Sequence, residues 1–73
     1  MDGILIGELE KNSTSKIKVM VREYKGREFV DVRTYFQSDD GEWQPTKKGI
    51  AISPAKVGEL VRLLNIASKN ANG

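Results

Sequence analysis

The residues with chemistry to offer fall in one stretch, Lys16 to Tyr35, where cations alternate with apolar residues and aromatic rings lie among them. At its centre, Tyr24-Lys25-Gly26-Arg27 reads as a tight turn, because Gly26 can take the positive φ that such turns need. With Lys25 and Gly26 at the tip, Tyr24 lies opposite Arg27, Val21 opposite Val30, Val19 opposite Val32 and Ile17 opposite Thr34. That register makes one face apolar, whereas a slip of one residue would set valines against charges. The pleat then fixes the other face as Lys16, Lys18, Met20, Arg22, Tyr24, Arg27, Phe29, Asp31, Arg33 and Tyr35. Cations attract phosphates, and flat rings stack on nucleic-acid bases at about 1–3 kcal/mol per base. A duplex hides its base faces, so a surface of this kind suits a single strand. The plainer alternative is a solvated sheet face laced by cross-strand charge pairs, with Asp31 and Arg33 as one such pair.

Other chemistries lack their residues. The 73-residue chain has neither His nor Cys, which removes the commonest general base, the thiolate nucleophile and the usual transition-metal ligands. Asp39, Asp40 and Glu42 form an acidic cluster without the ligand spacing of a calcium loop, so a solvated turn is expected. Gly3 and Gly7 precede no Lys-Ser/Thr pair and so build no phosphate-cradling loop. Ser and Thr hydroxyls have no His to activate them. The reading is of a non-enzymatic domain with no cofactor, no metal and no small-molecule substrate.

Net charge is only +2, but it is unevenly placed: Asp2, Glu8 and Glu10 outnumber Lys11 in the first fifteen residues, while the remainder holds 11 basic and 7 acidic residues. No apolar run approaches the roughly 18 residues of a membrane span. The start, Met1-Asp2-Gly3-Ile4-Leu5-Ile6, has an acid where a signal peptide carries bases. The expected location is the cytoplasm or nucleoid, or the nucleus in a eukaryote, and not secretion.

The elements that must position the charged face are short. Ile4 to Leu9 reads as a strand, and Glu10 to Ser15 as a polar loop. Ile17 to Arg22 alternates with period two, and Phe29 to Phe36 is its β-branched and aromatic hairpin partner. Ser38 to Gly41 is a turn, Glu42 to Lys47 a loop around Pro45, and Gly49 to Ile52 a fourth strand. A helix follows, with Ser53 as N-cap and Pro54 at its first position. Val57, Leu60, Val61, Leu64 and Ala67 share one helix face, and Leu63 and Ile66 widen it beyond what a chain of this size can surround. A second copy is therefore expected against Leu60, Leu63, Leu64 and Ile66. Residues 1–67 form one domain in this reading, with 68–73 as a frayed tail.

From Arg22 to Ile52 the sequence resembles the C-terminal domain of the positive cofactor 4-like transcriptional coactivators, small proteins that bind single-stranded DNA as homodimers. The resemblance is carried by Tyr24-Lys25-Gly26-Arg27, by Val30-Asp31-Val32-Arg33-Thr34-Tyr35-Phe36, by Asp40-Gly41-Glu42 and Pro45, by Lys47-Lys48-Gly49-Ile50 and by the Ser53-Pro54 helix start. With the helix it covers roughly two-thirds of the chain. It implies an α+β fold: a four-stranded, curved antiparallel sheet followed by one C-terminal helix (ββββα), dimeric. It also implies that Tyr24 and Phe36 stack on bases, that Lys25, Arg27, Lys47 and Lys48 meet phosphates, and that Arg33 lies in the binding channel. Simple alternation instead sets Phe36 with Val30 and Val32, and a bulge or sharp twist at the strand end would reconcile the two. Gln44 stands where the family often has Lys. Trp43 is an aromatic the pattern does not require, either a further stacking platform or a cover for the sheet edge. The loop from Glu10 to Ser15 looks longer than is usual in the family. The Ser-rich, acidic extension of the eukaryotic coactivators has no counterpart here, so DNA binding is the part of their role that carries over. The expected partner is single-stranded DNA bound with little sequence preference, in transcription, replication or repair; an RNA-binding domain or a protein-interaction module could use the same face.

Overall fold

In the computed structural model, which describes residues 3–71, four strands form one antiparallel sheet in chain order. They are β1 (Gly3–Asn12), β2 (Ser15–Tyr24), β3 (Arg27–Gln37) and β4 (Trp43–Ile52), and the helix α1 (Pro54–Asn70) follows. The β2–β3 hairpin has the register expected from its turn, with Tyr24 opposite Arg27, Val21 opposite Val30 and Val19 opposite Val32, and it runs without a shift to Ser15 opposite Phe36. Lys25 and Gly26 take φ of 53° and 81°, the paired positive values of a turn that matches strand twist.

Two expected loops are strand instead. β1 continues through Glu10 and Lys11 to Asn12, so the connection to β2 is the two residues Ser13 and Thr14 and no long loop exists there. Polarity misleads at this point because β1 is an edge strand whose acids face cations: Glu8 lies opposite Lys18 and Glu10 opposite Lys16. The Asn12 side chain closes the turn by accepting from the Thr14 N–H at 3.0 Å. β4 likewise begins at Trp43, with Pro45 inside it opposite Tyr35. Proline breaks a central strand but is tolerated at a sheet edge, where its missing N–H would have faced outward.

Three shifts of register shape the sheet. In β1 they fall between Leu5 and Gly7 and between Glu10 and Asn12. The first keeps Ile4 and Leu9 on one face, opposite Val21 and Ile17, while Leu5 and Glu8 join the charged face. The third lies between β3 and β4, where Arg33 pairs with Gly49 but Tyr35 pairs with Pro45, so that Thr46, Lys47 and Lys48 all oppose Thr34.

Ser53 caps α1 by accepting from the Ala55 N–H at 3.3 Å, with Pro54 at the first turn. The helix runs to Asn70, so Ser68, Lys69 and Asn70 of the expected tail are helical; 72 and 73 lie outside the described residues. It touches the sheet chiefly through β3. Val57 and Leu60 are half-buried, whereas Leu63, Leu64 and Ile66 are exposed. The radius of gyration is 13.9 Å, against about 11 Å for a compact domain of this length. Residues 3–71 form a slab of 39 × 38 × 18 Å, and no large side chain among them is fully buried. Among the described residues just Tyr35 and Asp31 are buried, and both point to the charged face.

Candidate nucleic-acid interface

The floor of the charged face is an ion network centred on Asp31, which is 3% exposed. Its Oδ2 accepts from Arg22 Nε at 3.1 Å and Arg33 Nε at 3.2 Å, and its Oδ1 accepts from Arg33 Nη2 at 3.0 Å. Arg33 Nη1 donates to the Thr46 carbonyl at 2.9 Å, which ties the network to the bulge in β4. Arg22 Nη2 donates to the Tyr35 hydroxyl at 3.2 Å, and Met20 Sδ sits within 3.8 Å of that hydroxyl. Burial pushes the Asp31 carboxyl up, but the hydrogen bonds from Arg33 and Arg22 together outweigh it and hold the group below its ordinary value. The same bonds hold the Arg33 guanidinium above its usual range.

The Tyr35 ring is correspondingly part of the floor. Lys18 Nζ lies 4.4 Å from its centroid, and the residue is buried, so the ring has no free face for a base. Trp43 stands on the same face, because it pairs with Gln37, two residues on from Tyr35. Lys16 Nζ sits 4.2 Å from the Trp43 centroid and is held there by Glu8 at 2.8 Å, which in turn lowers the Glu8 carboxyl below its ordinary value.

Two open grooves cross this face and share Phe29 and Ala51. One, of about 720 Å³, runs from Tyr24 and Arg27 past Phe29 to Ile52 and Ser53. The other, of about 580 Å³, runs from Phe29 over Arg22 and Arg33 to Thr46 and Lys47. Together they make a channel from the β2–β3 turn to the β4 bulge, with Phe29 midway. Tyr24 is 63% exposed at its mouth, and Lys25 Nζ lies 5.3 Å from the Tyr24 ring centroid.

Of the residues expected at the interface, Tyr24, Lys25, Arg27, Arg33, Trp43 and Lys47 are thus brought to one face. Lys48 is not: the bulge sends it to a separate groove of about 300 Å³ on the apolar side, with Lys11, Ile17, Val32 and Ile50. Phe36 is exposed but stays with Val32 and Thr34, since the β2–β3 pairing has no shift at that end and the bulge belongs to β4. Arg33 is a member of a fixed network rather than a free cation. Phe29 enters the channel and Lys18 covers the Tyr35 ring without either having been singled out; the period-two alternation that placed them on this face was the available signal. The acidic turn spends Asp40 internally, on Ser38 Oγ and the Glu42 N–H.

Residues 11–63 match the model for Transcriptional Coactivator p15 (PC4). The chain belongs to the PC4 family. A PC4 homologue from Burkholderia pseudomallei is 34% identical in one crystal form, covering 96% of this chain and 95% of that one, with a TM-score of 0.89. In a second crystal form the identity is 36%, over 92% of this chain and 98% of that one, with a TM-score of 0.86. A bacteriophage T5 homologue of the eukaryotic coactivator PC4, implicated in recombination-dependent DNA replication, is 22% identical over 96% of this chain and 82% of that one; at a TM-score of 0.72 it shares the PC4 fold. The ββββα order and the open sheet of the present chain are those of a PC4-like coactivator domain.

Proposed function

We propose that this DNA-binding, coactivator-like domain holds single-stranded DNA along the channel between the β2–β3 turn and the β4 bulge, as a homodimer and with little regard to base sequence. The observation that carries this reading is the continuity of the two grooves through Phe29, with Tyr24 exposed at one end and a cation lining each: Arg27 at the turn, beside Glu28 and with Lys25 next to the Tyr24 ring, and Lys47 at the bulge. Rings reward bases that can leave their stack, and every base has a π-face, so affinity follows strandedness more than sequence. The cations are sequence-blind and supply the salt-dependent part of binding.

Dimerisation is supported by the uncovered apolar surface. Val61, Leu63, Leu64 and Ile66 of α1 and Ile4, Leu9 and Ile50 of the sheet are all roughly half exposed or more in the single chain. A domain of this size with no disulfide, and with no enclosed apolar core among the described residues, lacks the burial that folding requires, and a second copy supplies it.

The test is binding to oligo-dT, to a duplex of the same length and to the matching RNA across a salt series. The reading expects single strands to be favoured at moderate salt, with quenching of Trp43, the only Trp, as they bind. Equal affinity for duplex and single strand would leave a generic polyanion binder; preference for RNA would make the channel an RNA site.

A further inference from the structure

The two grooves that meet at Phe29 differ in charge. The groove on the bulge side is lined by three cations, Arg22, Arg33 and Lys47, against one acid, Asp31. The groove on the turn side sets one cation, Arg27, against one acid, Glu28, and the rest of its lining is uncharged. A phosphate is attracted by the first and gains little from the second, where the carboxylate offsets the guanidinium. The turn-side groove offers rings and apolar surface instead: Tyr24 at its mouth, Phe29 at its inner end and Ile52 along β4. Its floor is open because the β4 residue opposite Asp31 is Ala51, whose single methyl leaves space that a longer side chain would fill. At about 720 Å³ it falls within the ~300–1,000 Å³ typical of small-ligand sites, which are mostly apolar with a few polar groups. A flat, uncharged group fits that lining, and a nucleobase is the flat, uncharged part of a nucleotide.

We infer that the channel is divided into two subsites: the turn-side groove takes an unpaired nucleobase against Tyr24 and Phe29, in room left by Ala51, and the bulge-side groove takes the phosphates. This rests on the single-strand reading above and assigns the parts of the strand within it. Phe29 and Ala51 are then the residues that make the channel respond to bases, and Lys47 is one that makes it respond to charge. Neither Phe29 nor Ala51 takes part in the recorded side-chain hydrogen bonds of the Asp31 network, so the base subsite can be altered without removing an ion pair. A duplex, whose bases are stacked and paired, fills only the second subsite.

The experiment compares Phe29→Leu, which keeps an apolar side chain and loses the ring, with Ala51→Leu, which fills the floor, and with Lys47→Ala. Each is measured against oligo-dT, an abasic strand of equal length and a duplex, over a salt series, after circular dichroism shows the parental fold. Phe29→Leu and Ala51→Leu are each expected to weaken binding to oligo-dT by about fivefold or more, as loss of a stacked base does, while the abasic strand keeps its parental affinity and the salt slope is unchanged. Lys47→Ala is expected to weaken oligo-dT and the abasic strand alike and to lower the slope. If Phe29→Leu or Ala51→Leu binds oligo-dT like the parent, or weakens oligo-dT and the abasic strand equally, the base subsite is overturned. Should a variant fail to fold, photocrosslinking of the unaltered protein to oligo-dT carrying iodouracil in place of thymine decides: adducts on Tyr24 or Phe29 support the subsite, and adducts confined to Thr46 and Lys47 overturn it. A parent that does not distinguish oligo-dT from the duplex refutes the single-strand reading instead, which separates the two failures.

Discussion

At the scale of single residues, the charged face divides into cations that are held and cations that are free. Arg33 looks in sequence like any exposed strand arginine, whose loss would cost little stability. In the structure its removal leaves Asp31 Oδ1 without a donor at a 3% exposed site. Arg33→Ala is therefore expected to destabilise the domain by about 1–3 kcal/mol in chemical denaturation, as an unsatisfied buried acceptor does. The carboxyl of Asp31 is held below its unfolded value, so its contribution is present above the ordinary aspartate range and is lost as pH falls through the depressed folded value. Acid titration of the parent should show this loss, and the same titration of Arg33→Ala should show it beginning at higher pH. The adjacent lysines divide too. Lys47 lines the channel and Lys48 a groove on the other side. Lys47→Ala should weaken binding to oligo-dT and reduce the salt slope by about one unit or less, while Lys48→Ala should change neither; equal losses would mean that the strand wraps around β4.

The strands show how much an element depends on its neighbours. β4 carries a proline, a three-residue bulge and a glycine within ten residues, yet it is the rim that delivers Lys47 to the channel. Thr46 fixes the bulge: its Oγ1 donates to the Thr34 carbonyl at 2.8 Å and accepts from the Lys48 N–H at 3.1 Å. Gly49 then lets β4 return to β3, because a Cβ there would come within 2.6 Å of the Val32 carbonyl oxygen and 2.9 Å of Arg33 Cα, both backbone atoms that cannot swing aside. Gly49→Ala should accordingly destabilise the domain by about 1–3 kcal/mol, the cost of overpacking, measurable by denaturant unfolding. A neutral result would show that β4 pairs loosely at the bulge.

At the scale of the whole molecule, the uncovered surface is apolar and the covered one is polar. Leu63 is 49% exposed in the single chain. If the chain worked alone, Leu63→Glu would be a surface change, within about 0.5 kcal/mol of neutral. In a dimer joined through α1 it would bury an unpaired carboxylate, which is costly. The expected outcome is dissociation or unfolding of Leu63→Glu in sedimentation at micromolar concentration, where the parent sediments as two copies. A parent that sediments as a folded monomer would remove the dimer.

The sequence by itself determined whatever rests on local pattern. The glycine at Gly26 and the alternation on either side of it specify the β2–β3 register, because a slip would bury charges and expose valines on every pair at once. The Ser53-Pro54 pair announces the helix start through backbone chemistry confined to a few residues. The tertiary structure alone decided what depends on neighbours distant in the chain. Glu10 to Asn12 and Trp43 to Lys47 read as loops because their own residues are polar, or include a proline, yet both belong to edge strands whose ladder bonds come from β2 and β3. The bulge opposite Thr34 separated Lys47 from Lys48, and the absence of any bulge in β3 kept Phe36 on the apolar side. The floor was least legible of all: Asp31 touches Arg22 across the hairpin, and Arg33 reaches Thr46 across the next strand pair. Whether a cation is free or spent is settled by which acceptor faces it, and in this fold those acceptors come from other strands.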